Sequence, residues 1–259
     1  MSFIQTVLLG AIAGFTIYLG LPFGRIRKLS TGTRTFLSMS SAGILLFILF
    51  DVLSNLSEPI ESAITDNKDY TQFFVLLGVF VLGFGLGLLG LIAFDQRFMR
   101  SEPGVTRPVN PTRLALMIAA GIGLHNFSEG LAIGQSAGRG EIAFATLLII
   151  GFGLHNATEG FGIVGPLVGE NRPSWGFIGL AGLIGGGPTF LGTILGYYFL
   201  SDVMFVLFLS LAAGALVYII GELFNLNRRP DTKIPAGWGL FIGFLIGYFT
   251  DLILIISGV

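Results

Sequence analysis

The sequence has no cysteine, only two histidines and little charge of either sign. Without Cys there can be no disulfide, no thiolate metal ligand and no Cys nucleophile, and cysteine usage says nothing about redox compartment. Charged residues make up 11% of the chain, against about 25% in a soluble globular domain. That is too few to coat a water-facing surface. A net charge of −1 offers no basic face to a polyanion, so no nucleic-acid partner is expected.

What is present is apolar: 53% of the residues are hydrophobic and the mean hydropathy is +0.84. The charges cluster, leaving apolar stretches long enough to match the hydrocarbon core of a bilayer, where only helices or closed barrels satisfy their backbone polar groups. Long continuous runs, rather than short alternating ones, predict helix. The sequence divides into eight spans: Phe3–Leu21, Phe36–Leu56, Phe73–Phe94, Leu114–Gly134, Ile142–Leu167, Trp175–Phe199, Val203–Leu226 and Trp238–Ser257. The first is preceded by no positive residue and followed by Arg25, Arg27 and Lys28, the reverse of a secretory signal, so it reads as a retained span. The chain thus reads as all-α, a polytopic membrane bundle of about eight transmembrane helices forming one membrane domain over residues 1–259.

Local signals refine the ends. Asn110-Pro111 fits an N-cap followed by Pro at the first helical position, and Trp175 and Trp238 suit an interfacial belt. Gly185-Gly186-Gly187-Pro188 should kink or break the sixth helix where protein or water covers the gap, because Pro removes a backbone donor. Gly78, Gly83, Gly85, Gly87 and Gly90 in span three predict close helix packing through small residues. With both termini outside, 12 of the 14 basic residues fall in cytoplasmic connections, and only Lys68 and Arg139 fall outside. The positive-inside rule therefore predicts N-out and C-out. The second connection carries Glu58, Glu61, Asp66 and Asp69 against Lys68.

Both histidines occur in the same hexad on adjacent spans: Gly-Leu-His125-Asn126-Phe-Ser-Glu129-Gly130 and Gly-Leu-His155-Asn156-Ala-Thr-Glu159-Gly160. His and Glu at i and i+4 share one helix face. His125 lies about a dozen residues past Arg113, and His155 similarly far past Glu141, which places both pairs near the bilayer midplane. A charge at a helix centre costs roughly 2.5–3.5 kcal/mol on insertion scales. Two imidazoles and two carboxylates form a first shell for Zn²⁺, Fe²⁺ or Mn²⁺, and the ion neutralises both acids. One such pair would serve equally well to hold two helices together; the hexad repeated on neighbouring spans favours metal. Asp51 with Asn55, and Glu222 with Asn225, read as polar stations on the outer and inner halves of a pathway, and Asp51 reads equally well as a carboxylate reaching the headgroups. Gln135 could line an entrance, and Asp251 reads as a carboxylate reaching the headgroups.

These residues resemble the ZIP (Zrt/Irt-like) family of divalent-metal transporters, whose pattern is eight spans, N-out and C-out, with His-Asn-x-x-Glu-Gly in span four and a matching motif in span five. The segments LFILFDVL around Asp51, GGGPTFLG in span six and AAGALVYIIGEL in span seven are also similar to family segments. The resemblance implies a bundle with inverted repeats, spans one to three against six to eight, around the four–five pair. It implies His125, Glu129, His155 and Glu159 as the first transport site, with Asn126 and Asn156 and the shared carboxylates flanking a second. Gly187 stands where two-metal members place Glu, and Ser128 and Thr158 stand where Pro usually precedes the hexad Glu. The loop between spans three and four has no His. One tightly bound ion is therefore expected.

The expected function is transport, in the inward direction, of zinc, iron, manganese or cobalt by alternating access in a plasma or inner membrane. The ion is substrate rather than cofactor, and the chain is not an enzyme. The expected partners are the metal ions and the lipid bilayer, with a homodimer left open. Two other readings remain. An intramembrane zinc hydrolase would use the same donors to activate water, but Asn rather than Glu follows each His, unlike H-E-x-x-H. A bis-His haem would explain neither Glu.

Overall fold

Solvent imposes helix on this chain. In hydrocarbon an unpaired backbone N–H or C=O costs several kcal/mol, and the helix pairs them all within one segment. The structure, a computed structural model, describes residues 1–27, 29–99, 110–140, 142–169, 172–199 and 201–256. Lys28, Arg100, Arg107, Glu141 and Ser257, used above to place loops and span ends, lie outside the described residues. Among the described residues all regular structure is helical, with no strand. The α-helices are α1 (Phe3–Phe15), α2 (Thr31–Thr65), α3 (Tyr70–Phe94), α4 (Pro111–Gly138), α5 (Ile142–Val164), α6 (Trp175–Tyr198), α7 (Asp202–Leu226) and α8 (Lys233–Ile256).

Seven segments among the described residues are long and apolar enough to cross a membrane: Phe3–Arg25, Thr31–Thr65, Tyr70–Arg97, Pro111–Gly138, Trp175–Tyr198, Asp202–Leu226 and Pro230–Leu252. The 23-residue α5 is the remaining long helix. Starts follow the cap chemistry. Ser30, Asp69, Asn110, Ser174 and Ser201 each accept a hydrogen bond from a first-turn N–H, meeting donors that a helix start leaves orphaned. Asn110 Oδ1 takes the N–H of Thr112 at 2.9 Å, with Pro111 opening α4.

Three expectations change. The first span is not one α-helix: α1 ends at Phe15, and the chain continues as 3₁₀ turns over Thr16–Leu19 and Leu21–Arg25. Tightening of the turn coincides with close packing on α5, where a Cβ on Gly20 would stand 2.3 Å from the Ala157 carbonyl oxygen. Helix α2 runs for 35 residues, so Glu58 and Glu61 are helical rather than in a loop. Helix α6 runs from Trp175 to Tyr198 without interruption, so no break occurs at Pro188. Asn126 donates to the Gly185 carbonyl at 3.1 Å and α4 packs against Ile184, so protein covers the backbone that Pro188 disturbs.

Helices meet where glycine lets backbones touch. A Cβ on Gly130 or Gly134 in α4 would stand 2.2 or 2.4 Å from a carbonyl oxygen of α6, and one on Gly160 in α5 would stand 2.0 Å from the Ile17 carbonyl oxygen. Gly43 and Gly243 do the same between α2 and α8, and Gly87 and Gly214 between α3 and α7. Of the span-three glycines, Gly83 and Gly87 are packed this way, whereas Gly78, Gly85 and Gly90 face open space. Exchanging α1 with α6, α2 with α7, α3 with α8 and α4 with α5 carries the packed pair α4–α6 onto α5–α1, α2–α8 onto α7–α3, and α4–α7 onto α5–α2. Pairs α2–α3 and α5–α8 have no comparably packed image. The rim carries exposed Leu, Phe, Val and Ile along α1, α3 and α8, such as Leu82 and Ile4, both 68% exposed. So large an apolar surface suits a multi-pass membrane protein.

Candidate metal centre

Helix α4 is the most enclosed of the candidate spans, and its buried stretch carries the first hexad. His125, Asn126, Glu129, His155, Asn156 and Glu159 are all at most 5% exposed. Within each helix the i,i+4 spacing does what the sequence predicts. His125 Nε2 lies 3.4 Å from Glu129 Oε1, and His155 Nε2 lies 3.6 Å from Glu159 Oε1. Between helices, His125 Nε2 is 4.0 Å from Glu159 Oε1, and the imidazole centroids are 6.0 Å apart at 68°.

The asparagines cross the interface reciprocally. Asn126 Nδ2 donates to Glu159 Oε2 at 2.9 Å, and Asn156 Nδ2 donates to Glu129 Oε2 at 3.5 Å. Asn126 Nδ2 also reaches Asn156 Oδ1 at 2.5 Å and the Gly185 carbonyl of α6 at 3.1 Å. Each carboxylate is thus approached by its own helix's His and the other helix's Asn, as a two-fold relation between the hexads requires. Ser128 and Thr158 hydroxyls donate to the carbonyls of His125 and His155 at 2.6 and 2.7 Å. Side-chain bonds of this kind loosen the helix at the two positions where the family usually has Pro.

All four imidazole nitrogens, Asn126 Oδ1 and Glu159 Oε1 are buried and without a hydrogen-bond partner among the described residues. Leaving a buried polar group unsatisfied costs roughly 1–3 kcal/mol. His125, Glu129 and His155 offer ligand atoms that all lie within 4.8 Å of one another. A tetrahedral site with bonds of about 2.0–2.2 Å has ligand–ligand edges of about 3.3–3.6 Å. The edges within each helix already have that length; those between helices are longer. Both carboxylates stand within 4.0 Å of an imidazole nitrogen, a donor set that bis-His haem ligation does not explain.

The other candidates are dispersed. Asp51 is half-buried on α2, accepts from Asn55 Nδ2 at 2.9 Å and lies within electrostatic reach of His125, Glu129, Glu159 and Asp251. Asp251 is half-buried on α8. Glu222 is half-buried on α7, and Asn225 beside it is exposed. Gln135 lines a cavity of about 280 Å³ whose other walls include Leu131, Leu195, Phe199 and Met204, an apolar setting rather than a polar entrance. Sequence reasoning missed the Gly185 carbonyl, since a backbone acceptor has no residue signature. It also missed Asp95, fully buried at the end of α3 and bonded by the Tyr218 hydroxyl at 2.8 Å. An acid at the end of an apolar run reads as a boundary.

No family model matches the chain. Known proteins do. A protein named zinc transporter ZupT from Enterobacter sp. (strain 638) is 32% identical over 257 residues, covering 93% of each chain. Proteins of the same name from Shigella dysenteriae serotype 1 (strain Sd197) and Escherichia coli (strain K12 / DH10B) are 34% identical over 197 residues, covering 69% of this chain and 75% of theirs. With an apolar helical bundle, two His/Glu hexads packed face to face and relatives alike along nearly its whole length, the chain belongs to the ZIP (Zrt/Irt-like) family of metal transporters.

Proposed function

We propose that the chain carries divalent transition-metal ions across a membrane, holding each ion between α4 and α5 with His125, Glu129, His155 and Glu159. The observation that carries this reading is the pair of buried imidazoles whose nitrogens make no hydrogen bond among the described residues, set beside two buried carboxylates. A dication satisfies all of them together and cancels both negative charges. The interhelical edges must shorten for it to do so, so binding draws α4 and α5 together. Asn126 and Asn156 hold the carboxylates in place, as partners of metal ligands generally do.

Eight crossings, with α5 as the fifth and both termini outside, agree with the distribution of basic residues. The exchange of helix pairs favours inverted repeats, an architecture suited to alternating access around a midplane site. A dication moving inward gains roughly 4.6 kcal/mol at 100 mV inside-negative, from about 2.3 kcal/mol per charge, so influx needs no partner ion. Asp51 serves as the outer station and Glu222 as the inner one. The relatives' name favours zinc; His and Glu donors also accept iron, manganese and cobalt. The hydrolase reading gains nothing from relatives named as transporters.

The test is uptake of each metal into liposomes by purified protein. Glu129→Ala and His155→Ala should abolish uptake and tight binding while the protein still inserts and folds. Wild-type uptake by either variant at matched reconstitution would refute the assignment.

A further inference from the structure

We infer that the pocket where α2 begins and α7 ends is a seat for a phosphoryl oxyanion. The pocket has a volume of about 120 Å³. The first two turns of α2 supply Thr31, Arg34, Thr35 and Ser38, and the chain leaving α7 supplies Asn227 and Arg229. Pro111 at the start of α4 and Pro166 after α5 close the other side. The pocket therefore joins the helices that carry the hexads to two that do not. No carboxylate lines it, so nothing there invites the transported cation.

The side chain that points to a ligand is Thr35. It is 4% exposed, faces this cavity, and takes part in no hydrogen bond among the described residues. Buried hydroxyls elsewhere on α2 behave differently: Ser40 and Ser41 bond back to the carbonyls of Phe36 and Leu37 at 2.9 and 3.4 Å. Ser38 is held by Asn227 Nδ2 at 2.9 Å. The Thr35 hydroxyl has no hydrogen-bond partner among the described residues and stands on the wall of a cavity that two guanidinium groups also line, open to an acceptor that enters it. Arg34 has contacts of its own, and Arg229 faces Asp231 at only 4.0 Å across an exposed pair. A guanidinium can share such partners with an anion.

The electrostatic setting agrees. The pocket lies at the N-terminal end of a 35-residue helix, where aligned peptide dipoles favour negative charge. Two guanidinium forks with hydroxyl groups between them match a tetrahedral oxyanion with several acceptor oxygens. Two sources supply that chemistry: soluble phosphate and the phosphate of an anionic lipid headgroup. An anion held here would join α2 and the end of α7 to the starts of α4 and the α5 loop.

The full chain, purified in neutral detergent, is titrated with inorganic phosphate while thermal unfolding and heat of binding are followed. It is also reconstituted in phosphatidylcholine vesicles with and without phosphatidic acid. Saturable stabilisation by phosphate would identify the soluble anion; stabilisation by phosphatidic acid alone would identify the headgroup. Arg229→Gln should weaken the response about tenfold, as expected for loss of a charge-assisted pair. Thr35→Val should weaken it several-fold and Thr35→Ser should restore it, which separates the hydroxyl's role from general damage to the fold. No response to either probe would overturn the proposal, as would a response unchanged in both Arg229→Gln and Thr35→Val.

Discussion

Asn126→Ala isolates what the amide network contributes to the metal centre. The Asn126 amide nitrogen serves three acceptors: Asn156 Oδ1, Glu159 Oε2 at 2.9 Å and the Gly185 carbonyl at 3.1 Å. Asn156 serves Glu129 from 3.5 Å, at the outer limit of a hydrogen bond. Removing Asn126 leaves Glu159, fully buried, without its fixed donor. Loss of such a partner typically costs 10–100-fold in metal affinity, or about 1.4–2.7 kcal/mol at 1.36 kcal/mol per decade. Asn156→Ala loses its bond from Asn126 and a bond to Glu129 of 3.5 Å; its only bond to a carboxylate is the long one, so it should cost less than Asn126→Ala. The assay is competition against a fluorescent zinc chelator in detergent, with the thermal midpoint of each apo variant as the folding control. Equal losses in the two variants, or a larger one in Asn156→Ala, would refute the unequal roles read from the distances.

Protons should compete with metal, because binding needs neutral His and ionised Glu. With reference values near 6.5 for His and 4.3 for Glu, affinity should fall as pH drops, and loading should release protons into weakly buffered solution. Metal affinity independent of pH from 8 to 5 would contradict this. Gly160→Ala places a methyl 2.0 Å from the Ile17 carbonyl oxygen and should cost about 1–3 kcal/mol through overpacking. Gly85→Ala, which meets nothing within 4 Å, should leave the thermal midpoint unchanged. Glu222→Gln should slow turnover more than it weakens central binding, measured as uptake rate against equilibrium affinity in one preparation.

The hexads were legible because two constraints act together. A helix fixes what lies at i and i+4, and a membrane makes a midplane carboxylate too costly to keep without use. Asn110-Pro111 likewise marked the start of α4, because a cap and a first-turn Pro are local signals. What stayed hidden depends on contacts between distant segments. At Pro188 the helix continues unbroken with α4 packed over the backbone, and nothing in Gly-Gly-Gly-Pro says what will pack beside it. The change from α to 3₁₀ at Thr16 accompanies close packing of α5 on Gly20, a contact between segments far apart in the sequence. Which span-three glycines touch a neighbour could not be read from composition, since Gly83 and Gly85 differ only in the face they occupy. Gln135 has polar chemistry but apolar surroundings, and the sequence gives only the first.

The length of α2 bears on how an ion first meets the protein. At 1.5 Å per residue its 35 residues make a rod of about 52 Å, against a hydrocarbon core of about 30 Å. A helix of that length crossing such a core would carry its far end, with Glu58, Glu61 and the capping Asp66, beyond the apolar slab into bulk electrolyte. There a charge is felt only over a Debye length, about 8 Å at physiological ionic strength and about 30 Å at 0.01 M. Mobile ions cannot screen the enclosed His/Glu cluster in the same way. Added monovalent salt should therefore slow the encounter of dications with this end of the protein while leaving the occupancy of the cluster at equilibrium nearly untouched.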